Sequence, residues 1–346
     1  GITDVVIEDI SNVCNRVFAD CKSLKRLTIN VMDGPTSVSG ALVKGCKNLQ
    51  TVVFTGRVQN LTVIEAAAFK ETESLKTISL PDAVKTISEE AFYGSGIETI
   101  CLPKNLKRIE TKAFAGSGLK DIVIPDKVKK LGENVFRDCI DLTEVTLPES
   151  VTKIPSGTFE GCCSLETVNA PNVDIICDHA FYNCRSLESF DFSNLQSLEL
   201  MAFAYTGIRE AVFSDKLVNF GIDIFFGCKK LQAVDMEACK IQKIPYQCFR
   251  LCEELKDIEL PQNVIAFDNS CFSKVKLSKL TINAGTYIDD NAFGRASIDE
   301  LVFTDDNNNL IKTAVHSFAF KEAKIGKLVI PDHMYDRFKE AIDKMQ

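Results

Sequence analysis

The sequence predicts an α/β solenoid of about fourteen coils, with a parallel sheet on one face, short helical turns and a C-terminal capping helix. Two observations predict it: a phenylalanine recurs at a nearly constant interval, and a short apolar motif accompanies each recurrence. From Phe69 onward the interval is 21 to 25 residues, and Val43 stands where a phenylalanine is expected after Phe18. A fixed period of this size is typical of stacked structural repeats. The recurring phenylalanines are Phe18, Phe69, Phe92, Phe114, Phe136, Phe159, Phe181, Phe203, Phe225, Phe249, Phe272, Phe293 and Phe318.

Each repeat combines two short extended segments with a turn. After Phe92, the alternation of Ile100 and Leu102 predicts a strand, and Pro103 ends it because proline cannot donate a sheet hydrogen bond. Leu106 and Ile109 form the second extended segment. The segment around each recurring phenylalanine, often closed by glycine, predicts a single helical or 3₁₀ turn. Equivalent strands of successive coils then stack side by side and parallel.

This motif resembles the BspA-like, or Treponema-type, leucine-rich repeat. Residues 119–125 (LKDIVIP), Val128, Leu131, Phe136 and Cys139 match the family pattern, and similar matches recur along nearly the whole chain. The resemblance implies a leucine-rich-repeat solenoid in an exported bacterial or protist surface protein, often adhesive, that binds host or neighbouring-cell proteins. The chain departs from the pattern at Val43 and where the strand-ending proline is missing, namely after Phe192, Phe213, Met236 and Phe303.

Two regions are predicted: a solenoid over residues 1–331 and a capping helix over residues 332–346. After Pro331, five apolar residues follow helical spacing, which is typical of an amphipathic helix; a partner-binding helix is the alternative. These residues are Met334, Tyr335, Phe338, Ile342 and Met345. At the other end, the chain starts at Gly1, without methionine and inside a coil. We expect that an export signal has been removed, and hence an extracellular or cell-surface location.

Charge and hydropathy exclude several partners. The net charge is −8, from 48 acidic and 40 basic residues, whereas nucleic-acid and anionic-lipid surfaces require basic stripes. No apolar run approaches the roughly 18 residues of a membrane span. We therefore expect no nucleic-acid partner and no integral membrane span. A monomer is expected as well.

The cysteines follow the repeat. Seven lie three residues after the recurring position: Cys21, Cys46, Cys139, Cys162, Cys184, Cys228 and Cys252. Other coils place Thr72, Ser95, Ser117 or Thr206 there, so the position favours a small residue that packs tightly or makes a local hydrogen bond. We predict reduced, buried thiols, because the spacing offers no zinc cluster and parallel side chains suit disulfides poorly.

No catalytic or metal site is expected. His179 and His316 each lie two residues before a recurring phenylalanine in distant coils, so they are predicted to be solvated and unable to share a metal. The sequence contains no convergent nucleophile, histidine and acid and no phosphate-binding glycine loop. Residues 305–309 (DDNNN) resemble half of a calcium loop but lack its glycine and final glutamate, and we predict a polar insertion. We therefore expect neither enzyme activity nor a cofactor.

The outward residues of the strands form the candidate binding surface, because solenoids bind through their extended sheet face. Carboxylates and hydroxyls recur there, which favours an acidic, hydroxyl-rich surface for a basic or polar partner segment. The alternative is that this face is only polar and suited to a strand. The predicted ligand-binding residues are Asp121, Glu144, Thr167, Asp191, Glu210, Asp235, Asp257, Glu259 and Glu300. The predicted function is a non-enzymatic surface or secreted binding protein that adheres to proteins or glycans; a structural spacer that displays another domain is the alternative.

Overall fold

The computed structural model is a parallel β-solenoid of about fourteen coils with one C-terminal α-helix, which confirms the predicted fold class. The structure describes residues 1–34, 36–305 and 312–345. These residues form two compact units, Gly1–Val173 and Asp174–Gln346. The loop proposed as a polar insertion at 305–309 lies, beyond Asp305, outside the described residues.

In the first unit, most coils contribute a first strand, before the proline position, and a second strand after it; the coil that contains Pro125 has an isolated bridge at Leu131 in place of the second strand. The first strands pair in the orders β1-β2-β4, β6-β8 and β10-β11-β13, and the second strands in the order β3-β5-β7-β9. Two 3₁₀ helices, Ile10–Asn12 and Val58–Asn60, lie between strands. The strands are β1 (Asp4–Ile7), β2 (Arg26–Val31), β3 (Thr36–Val38), β4 (Thr51–Gly56), β5 (Leu61–Ile64), β6 (Thr77–Ser79), β7 (Thr86–Ile87), β8 (Thr99–Cys101), β9 (Arg108–Ile109), β10 (Asp121–Val123), β11 (Glu144–Thr146), β12 (Lys153–Ile154) and β13 (Thr167–Asn169).

The second unit repeats this arrangement. Its first strands pair in the orders β16-β18-β20 and β22-β24-β26, and its second strands in the orders β14-β15-β17 and β19-β21-β23-β25. The strands are β14 (Ile175–Ile176), β15 (Ser197–Leu198), β16 (Glu210–Val212), β17 (Asn219–Phe220), β18 (Ala233–Asp235), β19 (Lys243–Ile244), β20 (Asp257–Glu259), β21 (Ala266–Phe267), β22 (Lys276–Ile282), β23 (Tyr287–Ile288), β24 (Ser297–Phe303), β25 (Ala314–Val315) and β26 (Lys324–Val329).

The recurring phenylalanines stack ring on ring in the core of each unit. In the first unit the rings of Phe92 and Phe114 are 5.3 Å apart and inclined by 4°. In the second unit the rings of Phe272 and Phe293 are 5.5 Å apart and inclined by 5°. Val43 is fully buried at the same position of its coil, as predicted. We call this core position the ladder position.

The last ladder position is Phe320, and the prediction of Phe318 was wrong. The ring of Phe320 is 5.0 Å from that of Phe293, inclined by 8°, and its side chain is 1% exposed. Phe318 is 40% exposed and lies beneath the Lys344 ammonium, 5.6 Å from it. Both residues fit the spacing. In other coils the amide of a ladder residue donates to the alanine that directly precedes the next ladder residue. Here the Phe293 amide donates to the Ala319 carbonyl at 2.9 Å, which makes Phe320 the next ladder residue.

The segments around the ladder position are consecutive turns, so the prediction of a helical turn was only partly right. Around Phe114, the amide of Ala115 bonds to the carbonyl of Lys112 (3.1 Å), which is a 3₁₀-type bond. The amides of Lys112, Phe114 and Gly116 instead bond to carbonyls of the next coil, at 2.9, 3.0 and 2.7 Å. This alternation requires left-handed backbone on both sides, at Lys112 (φ 55°) and Gly116 (φ 65°). The same pattern recurs in most coils.

The C-terminal segment forms a 3₁₀ turn at Asp332–Met334 and the helix α1 at Tyr335–Asp343. Met334 and Phe338 are buried, and the Phe338 ring meets the Phe303 ring edge-on at 4.5 Å. Tyr335, assigned to the apolar face by its spacing, is exposed, and Ala341 is buried instead. The helix is present as predicted, while its role as a cap stays a prediction.

Phe320→Ala should destabilise the protein far more than Phe318→Ala. We expect a loss of about 3–5 kcal/mol for Phe320→Ala, because it opens a cavity at the end of the phenylalanine stack, and under about 1 kcal/mol for Phe318→Ala. Urea unfolding followed by circular dichroism measures both. Equal losses would contradict the placement of Phe320 in the core.

The residues with left-handed backbone lead to a second prediction, which compares two glycine substitutions. Ala67 has φ 54°, whereas its neighbour Ala66 is outside the left-handed region. Ala67→Gly should be neutral or stabilising by up to about 1 kcal/mol, because glycine removes a left-handed strain that exceeds its cost in chain entropy. Ala66→Gly, the matched control, should destabilise by about 0.5–1 kcal/mol. Thermal unfolding of the two variants side by side checks this, and the opposite order would refute it.

Candidate binding surface

In the first unit, outward-pointing residues of the first strands lie in register. Asp121 of β10 lies opposite Glu144 of β11, which lies opposite Thr167 of β13. Thr77 and Thr99 pair in the same way in β6 and β8. All five side chains are exposed. The structure therefore brings the three predicted residues of this unit into one row on its sheet face, meaning the outward side of the first strands.

In the second unit, the sheet face carries two acidic rows. Glu210 lies opposite Ala233, which lies opposite Asp257. One pleat further along, Asp235 lies opposite Glu259. The four carboxylates are exposed and belong to the three neighbouring strands β16, β18 and β20. We call them the acidic cluster of the second unit.

Some carboxylates of the surface are neutralised by cations of the neighbouring coils. In the first unit, Glu98 lies between Lys76 and Lys120, at 3.0 and 2.7 Å. The hydrogen bond from Lys120 is the largest of the effects by which the two lysines lower the pKa of Glu98. Because two lysines of the fold already balance the charge of Glu98, an external cation would gain little by binding to it.

Among the described residues of the second unit, two carboxylates are clamped in this way, meaning that each is paired with two cations. Glu188 accepts hydrogen bonds from Arg209 (2.9 Å) and Lys230 (2.7 Å), which lower the pKa of Glu188 to about 2. Glu300, a predicted binding residue, lies 2.7 Å from Lys327 and 3.3 Å from Lys279. The hydrogen bond from Lys327 is the main cause of the lowered pKa of Glu300. Two lysines of neighbouring strands therefore offset the charge of Glu300 within the sheet face.

The remaining predicted carboxylates have no such clamp. Asp121 and Glu144 form no ion pair with any residue that the structure describes, and the same holds for Glu210, Asp235 and Glu259. Neighbouring parallel strands are about 4.8 Å apart, so like charges in register repel each other. This repulsion between carboxylates destabilises the folded state, and no ion pair in the described part of the fold offsets it.

Asp191 is oriented by its own turn. Its carboxylate accepts a hydrogen bond from the Ser193 amide at 2.9 Å, and bonding to Ser193, chiefly through the hydroxyl, lowers the pKa of Asp191. Asp235 accepts the Glu237 amide in the same way, at 3.0 Å. Such local bonds are typical of turn-forming aspartates. Asp191 lies outside the assigned strands, so it is the least regular member of the predicted set.

The sheet face also has an apolar part, which the predicted acidic, hydroxyl-rich surface did not take into account although the sequence places these residues outward. Val123 is 66% exposed beside the Asp121–Glu144 pair, and Val212 is 58% exposed beside Glu210. Each occupies the outward position two residues after an acidic one, and the period-two alternation already contained this signal. An exposed valine beside bare carboxylates offers a partner both apolar contact and charge.

Each sheet face includes a shallow depression. In the first unit, a depression of about 510 Å³ is lined by hydroxyls of Thr77, Ser79 and Thr99 and by Asp121 and Val123. In the second unit, a depression of about 400 Å³ includes Asp257, Glu259 and Lys279. Both depressions are open to solvent, so they fit part of an extended ligand better than a small molecule that must be enclosed.

The cysteines of the repeat act as core residues. Cys139 is buried and donates its S–H to the carbonyl of Phe114 in the preceding coil, at 3.1 Å. Cys228 bonds to the Phe203 carbonyl at 3.0 Å in the same way. This confirms the predicted packing and hydrogen bonding at this position, while Cys21 is only half-buried. Burial raises the pKa of Cys139 to about 11, so this thiol stays protonated at neutral pH.

His179 and His316 are half-buried and occupy different positions of the repeat, which corrects the prediction of a shared, solvated position. His179 lies two residues before the ladder position, whereas His316 lies four before Phe320. No group of three or more metal-ligating side chains occurs among the residues that the structure describes. Over the same residues, no helix has the length and apolar character needed to cross a membrane.

Comparison with known proteins identifies the repeat. The profile of the BspA type leucine-rich repeat region matches residues 1–120, 107–232 and 222–341. A leucine-rich repeat protein from Bacteroides ovatus has 23% identity and a TM-score of 0.71, with 92% of this chain and 91% of that one covered. A leucine-rich cell surface protein from Faecalibacterium prausnitzii has 20% identity and a TM-score of 0.47, with 89% and 80% covered. At these identities the first similarity shows a shared fold. Among curated proteins no match was found.

Thiol accessibility gives a direct test of the repeat positions. Cys14 and Cys101 are exposed, whereas Cys46, Cys139 and Cys228 are buried. In the folded protein we expect a maleimide to label Cys14 and Cys101 first, because the reaction needs an accessible thiolate. The buried thiols should react only in denaturant, as read by mass spectrometry. A Cys14→Ser/Cys101→Ser variant is the control, and rapid labelling of Cys139 in that variant would contradict the assignment.

Proposed function

Since the chain belongs to the BspA-type leucine-rich-repeat family, we propose that it is a non-enzymatic binding protein, displayed on a cell surface or secreted. It adheres to proteins or glycans of a host or a neighbouring cell through the sheet face of each unit. Proteins built from leucine-rich repeats generally serve as binding scaffolds, and their extended face is the surface that partners use. The description of the Faecalibacterium protein as a cell surface protein agrees with this location.

One observation carries the proposal: carboxylates lie side by side and unneutralised on the sheet faces. Asp121 and Glu144 repel each other in the first unit, as do Asp235 and Glu259 in the second. The contrast with Glu98, which two lysines clamp, means that the repeat can neutralise an acidic residue at little cost. A partner that brings cationic groups would offset the repulsion of the bare pairs.

The neighbouring side chains define the partner's chemistry. Exposed Val123 and Val212 adjoin the bare carboxylates, and Thr77 and Thr99 add hydroxyls in the first unit. A ligand with lysine or arginine next to apolar or hydrogen-bonding groups matches this combination. A basic peptide segment of another protein fits it better than a neutral glycan, because charge complementarity favours both encounter and specificity. Thr167 extends the row with a further hydroxyl.

Charge reversal on each face tests the proposal. Asp121→Lys/Glu144→Lys in the first unit and Glu210→Lys/Glu259→Lys in the second should each weaken binding to a basic protein partner at least tenfold. The physical reason is that attraction becomes repulsion. The measurement is surface binding to a panel of purified extracellular-matrix proteins and to a glycan array, repeated at two salt concentrations because screening reduces such contacts.

The matched control is Glu89→Lys/Glu133→Lys, which changes the charge equally at two exposed glutamates next to the turns. It should bind like the unmodified chain. If a panel member binds and all three variants bind it equally, with the fold intact by circular dichroism, the sheet faces are not the binding surface. If no panel member binds, a structural spacer becomes the better description.

A further inference from the structure

The turn side of the second unit, where the segments around the ladder positions lie, carries a polar hollow of about 250 Å³. Its lining includes four cationic side chains, those of Arg250, Lys274, Arg295 and Lys321. The residues come from four successive coils, so the hollow is a product of stacking. It lies away from the first strands and is separate from the acidic cluster of the sheet face.

The hollow exists because two successive coils lack a large side chain at one position. The residue directly after the ladder position is small in one earlier coil of this unit, at Ala204, but Tyr182 and Phe226 flank it there. Here two consecutive coils have a small residue, Ser273 and then Gly294. The Ser273 hydroxyl bonds to the Gly294 carbonyl at 2.9 Å, so it does not project into the space. Arg250 and Lys321 occupy the same position in the coils before and after the gap.

The cations that line this gap outnumber the carboxylates that line it, four to one. Arg295 pairs with Glu322 at 2.8 Å. Arg250, Lys274 and Lys321 form no ion pair with any side chain in the described part of the chain. Four cations and one carboxylate, that of Glu322, thus line one hollow of a protein whose net charge is −8, and Asp223 offsets part of the Arg250 charge. Like charges held close together repel, and a bound anion would remove that repulsion.

Arg250 also has an unused hydrogen-bond donor. Its Nε is buried and has no hydrogen-bond partner among the described residues. The guanidinium lies over the ring of Phe226, 5.9 Å from its centre, and its Nη1 donates to the side-chain oxygen of Gln247, so it is held in place while its Nε has no acceptor among the described residues. A buried donor without an acceptor is unfavourable, and guanidinium matches the oxygens of sulfate and phosphate in geometry.

We propose that this hollow binds an oxyanion, a sulfate or phosphate group, either free or carried by a sugar. Arg250 and Lys321 contact the anion from the two ends, and Lys274 and Arg295 complete the positive rim. The hollow is smaller than the cavities that enclose drug-sized ligands, which suits one anionic group. This site does not depend on the function proposed for the sheet faces.

Calorimetric titration of the full chain at constant ionic strength tests the site. The probes are inorganic sulfate, inorganic phosphate and N-acetylglucosamine 6-sulfate, with unsulfated N-acetylglucosamine as the neutral control. We expect saturable binding of the anionic probes alone. Tighter binding of the sulfated sugar than of inorganic sulfate would identify a glycan as the source, and equal or weaker binding would identify the free anion.

Two variants locate the binding. Lys274→Gln/Lys321→Gln should weaken anion binding at least tenfold, whereas Lys276→Gln/Lys324→Gln, the same change at exposed strand lysines, should leave it unaltered. Gly294→Phe should abolish binding by filling the hollow as Phe226 does elsewhere. Its Cβ would lie 3.2 Å from the side-chain oxygen of Asn291 and 3.3 Å from the Asn291 backbone carbonyl, so this turn must move by a few tenths of an ångström, and circular dichroism must show the fold intact. Equal affinity in both lysine pairs, or no saturable binding of any anion, would overturn the proposal.

Discussion

The contact between successive coils at the ladder position is the constraint on which the rest of the structure depends. The Phe114 amide bonds to the Val135 carbonyl of the next coil at 3.0 Å, and the Phe114 ring stacks on that of Phe136 at 5.9 Å. Backbone and ring spacing must agree in every coil, because both are set by the distance between parallel strands. A residue without a ring is tolerated only when it is also apolar and buried, as Val43 is.

The same constraint explains the cysteines. The carbonyl of a ladder phenylalanine receives the amide three residues further on, and in several coils it also receives a thiol from the next coil, as Phe114 does from Cys139. A thiol is small, apolar enough for the core and able to donate one weak hydrogen bond. Thr72 meets the requirement differently, since its hydroxyl bonds to Phe69 of its own coil at 2.8 Å. The abundance of cysteine is therefore a property of packing.

Stacking in register also creates the surfaces. Residues one repeat apart become direct neighbours. Two charged residues at such positions either form an ion pair, as Lys120 and Glu98 do, or place like charges together, as Asp121 and Glu144 do. On the turn side, small residues in two consecutive coils, Ser273 and Gly294, leave a gap that cations surround. Both candidate sites are thus local departures from a regular pattern.

The sequence by itself determined the number of coils, most of the core residues, the strand register and the alignment of Asp121, Glu144 and Thr167, because a fixed period maps directly onto a stack of parallel strands. It misassigned Phe318, since two phenylalanines fit the spacing and only the hydrogen bond from Phe293 to Ala319 separates them. It also suggested helical turns, because the left-handed residues that interrupt a helix are not all glycine. Only the tertiary structure decided that Glu300 is neutralised, that Asp191 belongs to a turn, and that four cations meet around one hollow. The repeat period fixes which positions become neighbours. Which charges pair and which space stays empty depend on side-chain conformation, which the period does not determine.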